Sequence, residues 1–175
     1  MLYTGKGDKG QTKLYHCDQR LSKSSLIAEA LGSLDEINSF LGWCKVKAEE
    51  RGEIGKILKE TQNHLFSIQA ELAGAPKKLP QIAVTKIEKV VKKIEKELPP
   101  IKSFIVPGGT ELSTMLDVAR TIARRAERQV VSVSKDVKLS PATLAFLNRL
   151  SSLLYALARL ANHRAGIEEK KPSYQ

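Results

Sequence analysis

Cysteine is almost absent from this sequence: two residues in 175, Cys17 and Cys44. Two thiols cannot build a disulfide framework or a four-ligand zinc site, so free thiols in a cytoplasmic setting are expected. No apolar run approaches the ~20 residues of a membrane-spanning helix. The opening Met1-Leu2-Tyr3-Thr4-Gly5 lacks the apolar stretch and cleavage site of a signal peptide, and it is neither Arg-rich nor amphipathic like a transit peptide. His16 and His163 have no companions at metal-ligand spacing, so no resident metal site is assigned. No Ser/His/Asp or Cys/His set suggests a protein nucleophile. Aromatic residues are scarce, at 5%, which leaves little of the aromatic interleaving that a nucleic-acid platform uses.

What is present fits one domain spanning 1–175 with a sizeable core. The hydrophobic fraction of 42% and the charged fraction of 27% are ordinary for a globular chain. The 29 Lys+Arg against 19 Asp+Glu give +10 and favour an anionic partner. Much of that charge lies between Lys77 and Lys96, interleaved with Glu88 and Glu95, and reads as a solvated helix face.

Residues 1–22 hold three glycines within six positions and no sustained apolar period, so an ordered loop is expected there. Beyond it, helical periodicity dominates, and no segment alternates over strand length. Ile27, Leu31, Leu34, Ile37 and Leu41 mark a first helix over about 24–49, closed by Gly52. Ile57, Thr61, Leu65, Ile68 and Leu72 mark a second, ended by Gly74-Ala75-Pro76. Val84, Ile87, Val91, Ile94 and Leu98 mark a third, stopped by Pro99-Pro100. After a loop through Pro107-Gly108-Gly109, Thr110 is a good N-cap for a fourth helix, with Glu111 in its first turn. Leu112, Leu116, Ala119, Ala123, Ala126 and Val130 give its buried stripe. Ser140-Pro141 opens a fifth, whose face is Leu147, Leu150, Leu154, Leu157 and Ala161, ending near Gly166. The fold class is all-α: a five-helix bundle over 23–166, an N-terminal loop before it and a polar tail at 167–175.

Gly5-Lys6-Gly7-Asp8-Lys9-Gly10 matches G-x-G-x-x-G literally, yet no strand precedes it and no βαβ unit is available for a dinucleotide site. The physics of the loop survives. Glycines let backbone N–H groups approach phosphate oxygens, and Lys6, Lys9 and Lys13 add charge beside the Thr4 and Thr12 hydroxyls. On the fourth helix Arg120, Arg124 and Arg128 recur every four residues, with Arg125 and Glu127 beside them. Such a stripe repels itself and calls for something anionic, either neighbouring carboxylates or a polyphosphate. On the fifth helix Asn148, Ser152, Tyr155 and Arg159 form a polar stripe that reads as a wet side opposite the leucines. On the first, Asp35, Glu36 and Asn38 are ordinary helix-surface groups by themselves.

Taken in order, four blocks resemble the PduO-type ATP:cob(I)alamin adenosyltransferases, the MMAB-type corrinoid adenosyltransferases: YTGKGDKGQTKL at 3–14, EALGSLDEINSFLG at 29–42, FIVPGGTELSTMLDVARTIARRAERQVV at 104–131 and LNRLSSLLYALARLANHRAG at 147–166. The resemblance implies a homotrimeric five-helix bundle with ATP, Mg2+ and cobalamin or another corrinoid held between adjacent subunits. It implies that Thr4, Lys6, Gly7, Asp8, Gly10, Thr12 and Lys23 hold the polyphosphate, with Arg124, Glu127 and Asn148 completing the nucleotide site. Asp35 would pair with Arg120 of a neighbouring subunit near the corrin, and Phe104 would stand below the ring and keep the lower cobalt ligand away. A reductase and a corrinoid-dependent enzyme are the implied protein partners, and neither nucleic acid nor membrane is. The chain departs from the family's pattern at several positions. Gly5 stands where Arg or Lys is common, Lys13 where Gly is, Ser24 and Ser152 where Asp is frequent, Leu153 where Tyr is, and Asp117 where His is often found. Two readings of other classes compete, a basic helical nucleic-acid-binding module and a purely structural bundle. Neither explains why the glycine-lysine loop, Asp35, Phe104 and Asn148 fall where they do together.

Overall fold

The structure is a computed structural model describing residues 2–14, 19–50 and 52–174, so His16 and Cys17 lie outside the described residues. Among these residues five helices follow a short hairpin: α1 Leu26–Lys47, α2 Glu53–Leu72, α3 Gln81–Glu97, α4 Glu111–Val133 and α5 Pro141–Arg164. The expected stripes are the ones that turn inward. Leu34, Ile37 and Leu41 of α1, Leu65 and Ile68 of α2, and Ala119, Ala123, Ala126 and Val130 of α4 are all buried in one apolar cluster.

Two boundaries differ from the expectation. The N-terminal region contains strands β1 (Gln11–Lys13) and β2 (Arg20–Ser22), paired antiparallel with Thr12 opposite Leu21. Three-residue strands are too short to carry a period-2 signal, which is why alternation did not reveal them. Gly52 does not close α1, which stops at Lys47 with Ala48 as its cap; it is the N-cap of α2.

Ion pairs fix how the helices run. Lys47–Glu111 at 2.6 Å and Arg125–Glu36 join opposite ends of α1 and α4, which are therefore antiparallel. Lys86–Glu60 and Lys93–Glu53, at 2.8 and 2.6 Å, make α2 and α3 antiparallel as well. Arg149–Glu88 and Arg164–Glu97 run in the same direction along both helices, so α3 and α5 are parallel.

Helix α5 sits in the middle of this arrangement, packed by α3 and α4 and tied to α2. Leu147, Leu150, Leu153, Leu154, Ala158 and Leu160 are all buried, which takes in nearly its whole circumference. Its first turn is capped from a distance. The buried Glu71 of α2 accepts hydrogen bonds from Ser140 N at 2.6 Å, Ser140 Oγ at 3.2 Å and Thr143 Oγ1 at 2.6 Å. Without this carboxylate the Ser140 N–H and the two hydroxyls would lose their acceptor in a largely buried place. Ser140 and Pro141 occupy the expected cap and first helical positions, but the capping oxygens belong to α2.

At the other end of α5, Arg164 bonds both Glu97 and Glu53. Bonds from Lys93 and then Arg164 hold the Glu53 carboxyl below its ordinary value of 4.5; Lys86 does the same for Glu60, and Arg164 for Glu97. A carboxylate with a depressed folded pKa binds fewer protons folded than unfolded. Its contribution is complete above about 4.5 and lost as pH falls through the depressed value. His64, edge-on to Phe146 at 5.3 Å, is also pushed below its ordinary 6.5, by burial. It therefore adds a gentler loss of stability beginning below 6.5. The melting temperature should be level from about pH 8 to 7, sag between about 6.5 and 5, and fall steeply below about 4.5. A scanning-calorimetry series across that range checks it; a maximum at acid pH would contradict it.

Candidate functional site

Two glycines with positive φ, Gly5 at 65° and Gly10 at 72°, let the N-terminal loop fold back on itself. Asp8 N donates to Gly5 O at 3.2 Å, Gly10 N to Gly7 O at 3.1 Å, and Lys23 N to Gly10 O at 2.8 Å. The ammonium of Lys23 lies so near Gly7 that a Cβ there would come within 3.0 Å of it. Thr4, Lys6, Gly7, Asp8, Gly10, Thr12 and Lys23 are thus one local assembly, and all are exposed except the half-buried Gly7 and Thr12. Its organiser is a residue the sequence reading passed over. Arg20 donates to the Lys6 carbonyl, to Gln11 O at 3.1 Å and to Gln11 Oε1 at 3.3 Å, pinning the loop to the hairpin. No spacing rule singles out an arginine that works through backbone carbonyls.

The second group lies on α4 and α5. Glu127 is brought against Asn148, whose Nδ2 donates to Glu127 Oε1 at 2.9 Å. Arg149 Nη1 donates to Asn148 Oδ1 at 3.1 Å, so the orientation of the Asn148 amide is set from both sides. The arginine stripe divides unequally. Arg120 reaches Asp117 at 3.4 Å, and Arg125 reaches Glu36. Among the described residues Arg128 bonds only the Arg124 carbonyl, at 3.0 Å, and the exposed Arg124 guanidinium has no carboxylate partner. Asp35 is exposed on α1 and makes no bond to Arg120 within the chain.

The third group surrounds a hollow of about 590 Å3 lined by Ile101, Ser103, Phe104, Ile105, Arg120 and Tyr155. Phe104 is 81% exposed on the α3–α4 connection, so it plugs no part of the core. Burial raises the Tyr155 hydroxyl above its ordinary value of 10, so it stays protonated at neutral pH and can donate a hydrogen bond into the hollow. The polar stripe of α5 is not uniformly wet. Ser152 and Asn148 face outward, but Arg159 is buried and paired with Glu169 at 2.5 Å. Among the described residues, no hydrogen bond joins Thr4, Lys6, Gly7, Asp8, Gly10, Thr12 or Lys23 to α4 or α5. No three His, Cys, Asp or Glu side chains converge among the described residues. No helix described is long and apolar enough to cross a membrane.

Residues 2–161 match the family model described as cobalamin adenosyltransferase. The chain is 40% identical over 175 residues to the corrinoid adenosyltransferase of Bacillus subtilis (strain 168), covering 95% of this chain and 89% of that one. It is 38% identical to the corrinoid adenosyltransferase PduO of Citrobacter freundii over 94% of its own length, and spans 50% of that longer relative. Among solved structures it superposes with a TM-score of 0.92 and 34% identity on a variant PduO-type ATP:corrinoid adenosyltransferase from Lactobacillus reuteri, complexed with cobalamin and ATP. That match covers 99% of this chain and 100% of the other.

Proposed function

The chain belongs to the cobalamin adenosyltransferase family, and from that premise we propose how its own residues move the adenosyl group of ATP onto the cobalt of a reduced corrinoid. The electron pair of Co(I) attacks the ribose 5′ carbon, the C5′–O bond breaks, and triphosphate departs with the bonding pair. Because Co(I) is itself the nucleophile, the protein's part is alignment, exclusion of water and stabilisation of the leaving charge.

The observation that carries this reading is the uneven pairing of cations. Arg125, Arg149, Arg159 and Arg164 each hold a carboxylate, whereas Arg124 and Arg128 have none among the described residues, and Arg124 lies one helical turn from Glu127, which Asn148 contacts. That is the residue pattern for gripping phosphate bidentately. The loop of Thr4, Lys6, Gly7, Asp8, Gly10, Thr12 and Lys23 supplies backbone donors and ammonium groups for the rest of the triphosphate. Arg124, Glu127 and Asn148 bind the nucleotide, and the corrin sits over Phe104 beside Arg120. Among the described residues no hydrogen bond joins Thr4, Lys6, Gly7, Asp8, Gly10, Thr12 or Lys23 to the arginine helix, which supports a homotrimer with each site completed between neighbours. Mg2+ fits here only as a companion of the triphosphate. With no convergent acidic cluster among the described residues, its ligands would be phosphate oxygens, waters and single side chains such as Asp8 or Glu127; when bound it would neutralise leaving-group charge. A cytoplasmic enzyme served by a reductase, and handing its product to a corrinoid-dependent enzyme, completes the reading.

The test mixes the protein with ATP, Mg2+ and chemically reduced cobalamin and follows the light-sensitive Co–C product. Product equivalent to enzyme or above is expected; none, with ATP bound, would overturn the assignment. A second measurement addresses Asp35, proposed to meet Arg120 of the adjoining subunit. Asp35→Asn should weaken corrinoid binding more than it lowers the melting temperature, since the side chain is exposed in the single chain. A partly buried pair would show a coupling of up to ~3–5 kcal/mol, an exposed one at most ~1 kcal/mol. Exchanging the two charges should restore part of the affinity, and zero coupling in that cycle would place the residues apart.

A further inference from the structure

The segment after α5 does not trail into solvent. Glu169 returns to the buried guanidinium of Arg159, accepting from Nε at 2.5 Å and from Nη2 at 2.8 Å. Arg159 Nη2 also donates to the carbonyl of Pro99 at 3.0 Å, at the start of the α3–α4 connection. One residue further on, Lys170 O accepts from Val106 N at 2.8 Å. The far end of the same connection is held by Asn162, whose Nδ2 donates to Gly108 O at 2.7 Å and whose Oδ1 accepts from Thr110 N at 2.9 Å. Gly109, with φ 111°, passes so close that a Cβ would lie 2.3 Å from the Asn162 side chain.

Between these anchors stands Phe104, 81% exposed. An exposed aromatic gains nothing from packing that would keep it outward, so its position must come from the backbone beneath it. That backbone is fixed at Pro99, Val106 and Gly108–Thr110, and two of the three anchors depend on the C-terminal segment or on the arginine that binds it. We propose that Glu169 and Arg159, with the Lys170 carbonyl, are positioning residues that hold the Phe104 loop at the height at which the ring excludes the lower cobalt ligand. This rests on the reading of Phe104 given above. Glu169 touches neither substrate; it acts through Arg159 and the loop. Releasing it frees the middle of the loop and leaves a buried guanidinium underpaired, so the ring loses its fixed height while the nucleotide residues on α4 stay as they are.

The experiment uses full-length Glu169→Ala, Glu169→Gln, Phe104→Ala and the Phe104→Ala/Glu169→Ala double variant. Each is given either cob(II)alamin with a mild reductant or chemically pre-reduced cob(I)alamin. Electron paramagnetic resonance of bound Co(II) reports whether the lower ligand has left. Glu169→Ala is expected to lose between about tenfold and about a hundredfold from cob(II)alamin, the scale of a small misplacement. Its rate from cob(I)alamin and its KM for ATP should hardly change, and its Co(II) signal should keep the lower-ligand signature. Glu169→Gln, which retains an acceptor for Arg159, should fall between Glu169→Ala and the parent and carries the same comparison should the alanine variant unfold. The double variant should be no worse than Phe104→Ala, because both changes act on one ring. If Phe104→Ala loses activity selectively from cob(II)alamin but Glu169→Ala loses it equally from both, or if the double variant's losses multiply, the inference is overturned and Phe104 keeps its role. If Phe104→Ala itself shows no selectivity, the reading of Phe104 falls and takes this inference with it.

Discussion

Phe104→Ala should lose at least about a hundredfold in rate from cob(II)alamin with a mild reductant, and less than about tenfold from cob(I)alamin prepared chemically. Co(II) with its lower ligand in place is harder to reduce than the four-coordinate form, and the ring is the group proposed to keep that ligand off. Pre-reduced cobalt bypasses the step. Stability should be untouched, because removing a side chain that is 81% exposed opens no cavity. Phe146 is the internal control. It is 1% exposed against His64, and its truncation to alanine should cost ~3–5 kcal/mol. Equal losses from both cobalt states, together with a lowered melting temperature, would make Phe104 a packing residue.

The second large effect is expected at Arg124. Its guanidinium is exposed and has no carboxylate partner among the described residues, so Arg124→Ala breaks no ion pair there. Its melting temperature should therefore match the parent within about 2 °C, as for a surface substitution. ATP affinity by calorimetry should nevertheless fall by between about tenfold and a hundredfold, the worth of one or two charge-assisted hydrogen bonds to phosphate. Arg124→Lys should recover part of this, since an ammonium keeps the charge but not the planar fork. The comparison variant is Arg125→Ala, which removes the Glu36 pair on the same helix. It should leave ATP affinity unaltered. Similar affinity losses from both would mean that general positive charge, rather than Arg124, attracts the nucleotide.

These residues differ in how readily the sequence betrays them. The α4 stripe of Leu116, Ala119, Ala123, Ala126 and Val130 is legible because burial and helical period coincide, and Thr110 because its hydroxyl does accept from Ser113 N at 3.1 Å. The three-residue strands around Thr12 and Leu21 are not, being shorter than any pattern that could reveal them. Glu127 and Asn148 sit 21 residues apart and join through a crossing of α4 and α5 that period alone cannot register. Resemblance to a family points to both as nucleotide-site residues, but not to their contact with each other. Asp117 was noted there only as a departure; its contact with Arg120 three residues on follows from helix geometry once both are known to face the same side. The burial of Arg159 is hidden from the sequence for a physical reason. An arginine on a stripe with Ser152 and Tyr155 looks solvated, and only the return of Glu169 from beyond the helix end makes its burial tolerable. Arg20, Asn162 and Glu71 act through backbone groups or across many tens of residues, and no local rule finds such partners.

The carboxylate of Glu71 that receives the first turn of α5 lies 69 residues upstream of Ser140. During synthesis from the N-terminus, that acceptor leaves the ribosome long before the helix it terminates, and α1 and α2 can already have paired as a hairpin when Pro141 emerges. The central helix of the bundle is thus the last to be made, and it arrives at a seat that is already furnished with its cap. A circular permutant opened between α2 and α3, which would deliver α5 before Glu71, should reach the same folded state but more slowly in a coupled translation assay, with a longer window of protease sensitivity for the leucine-rich segment 147–160.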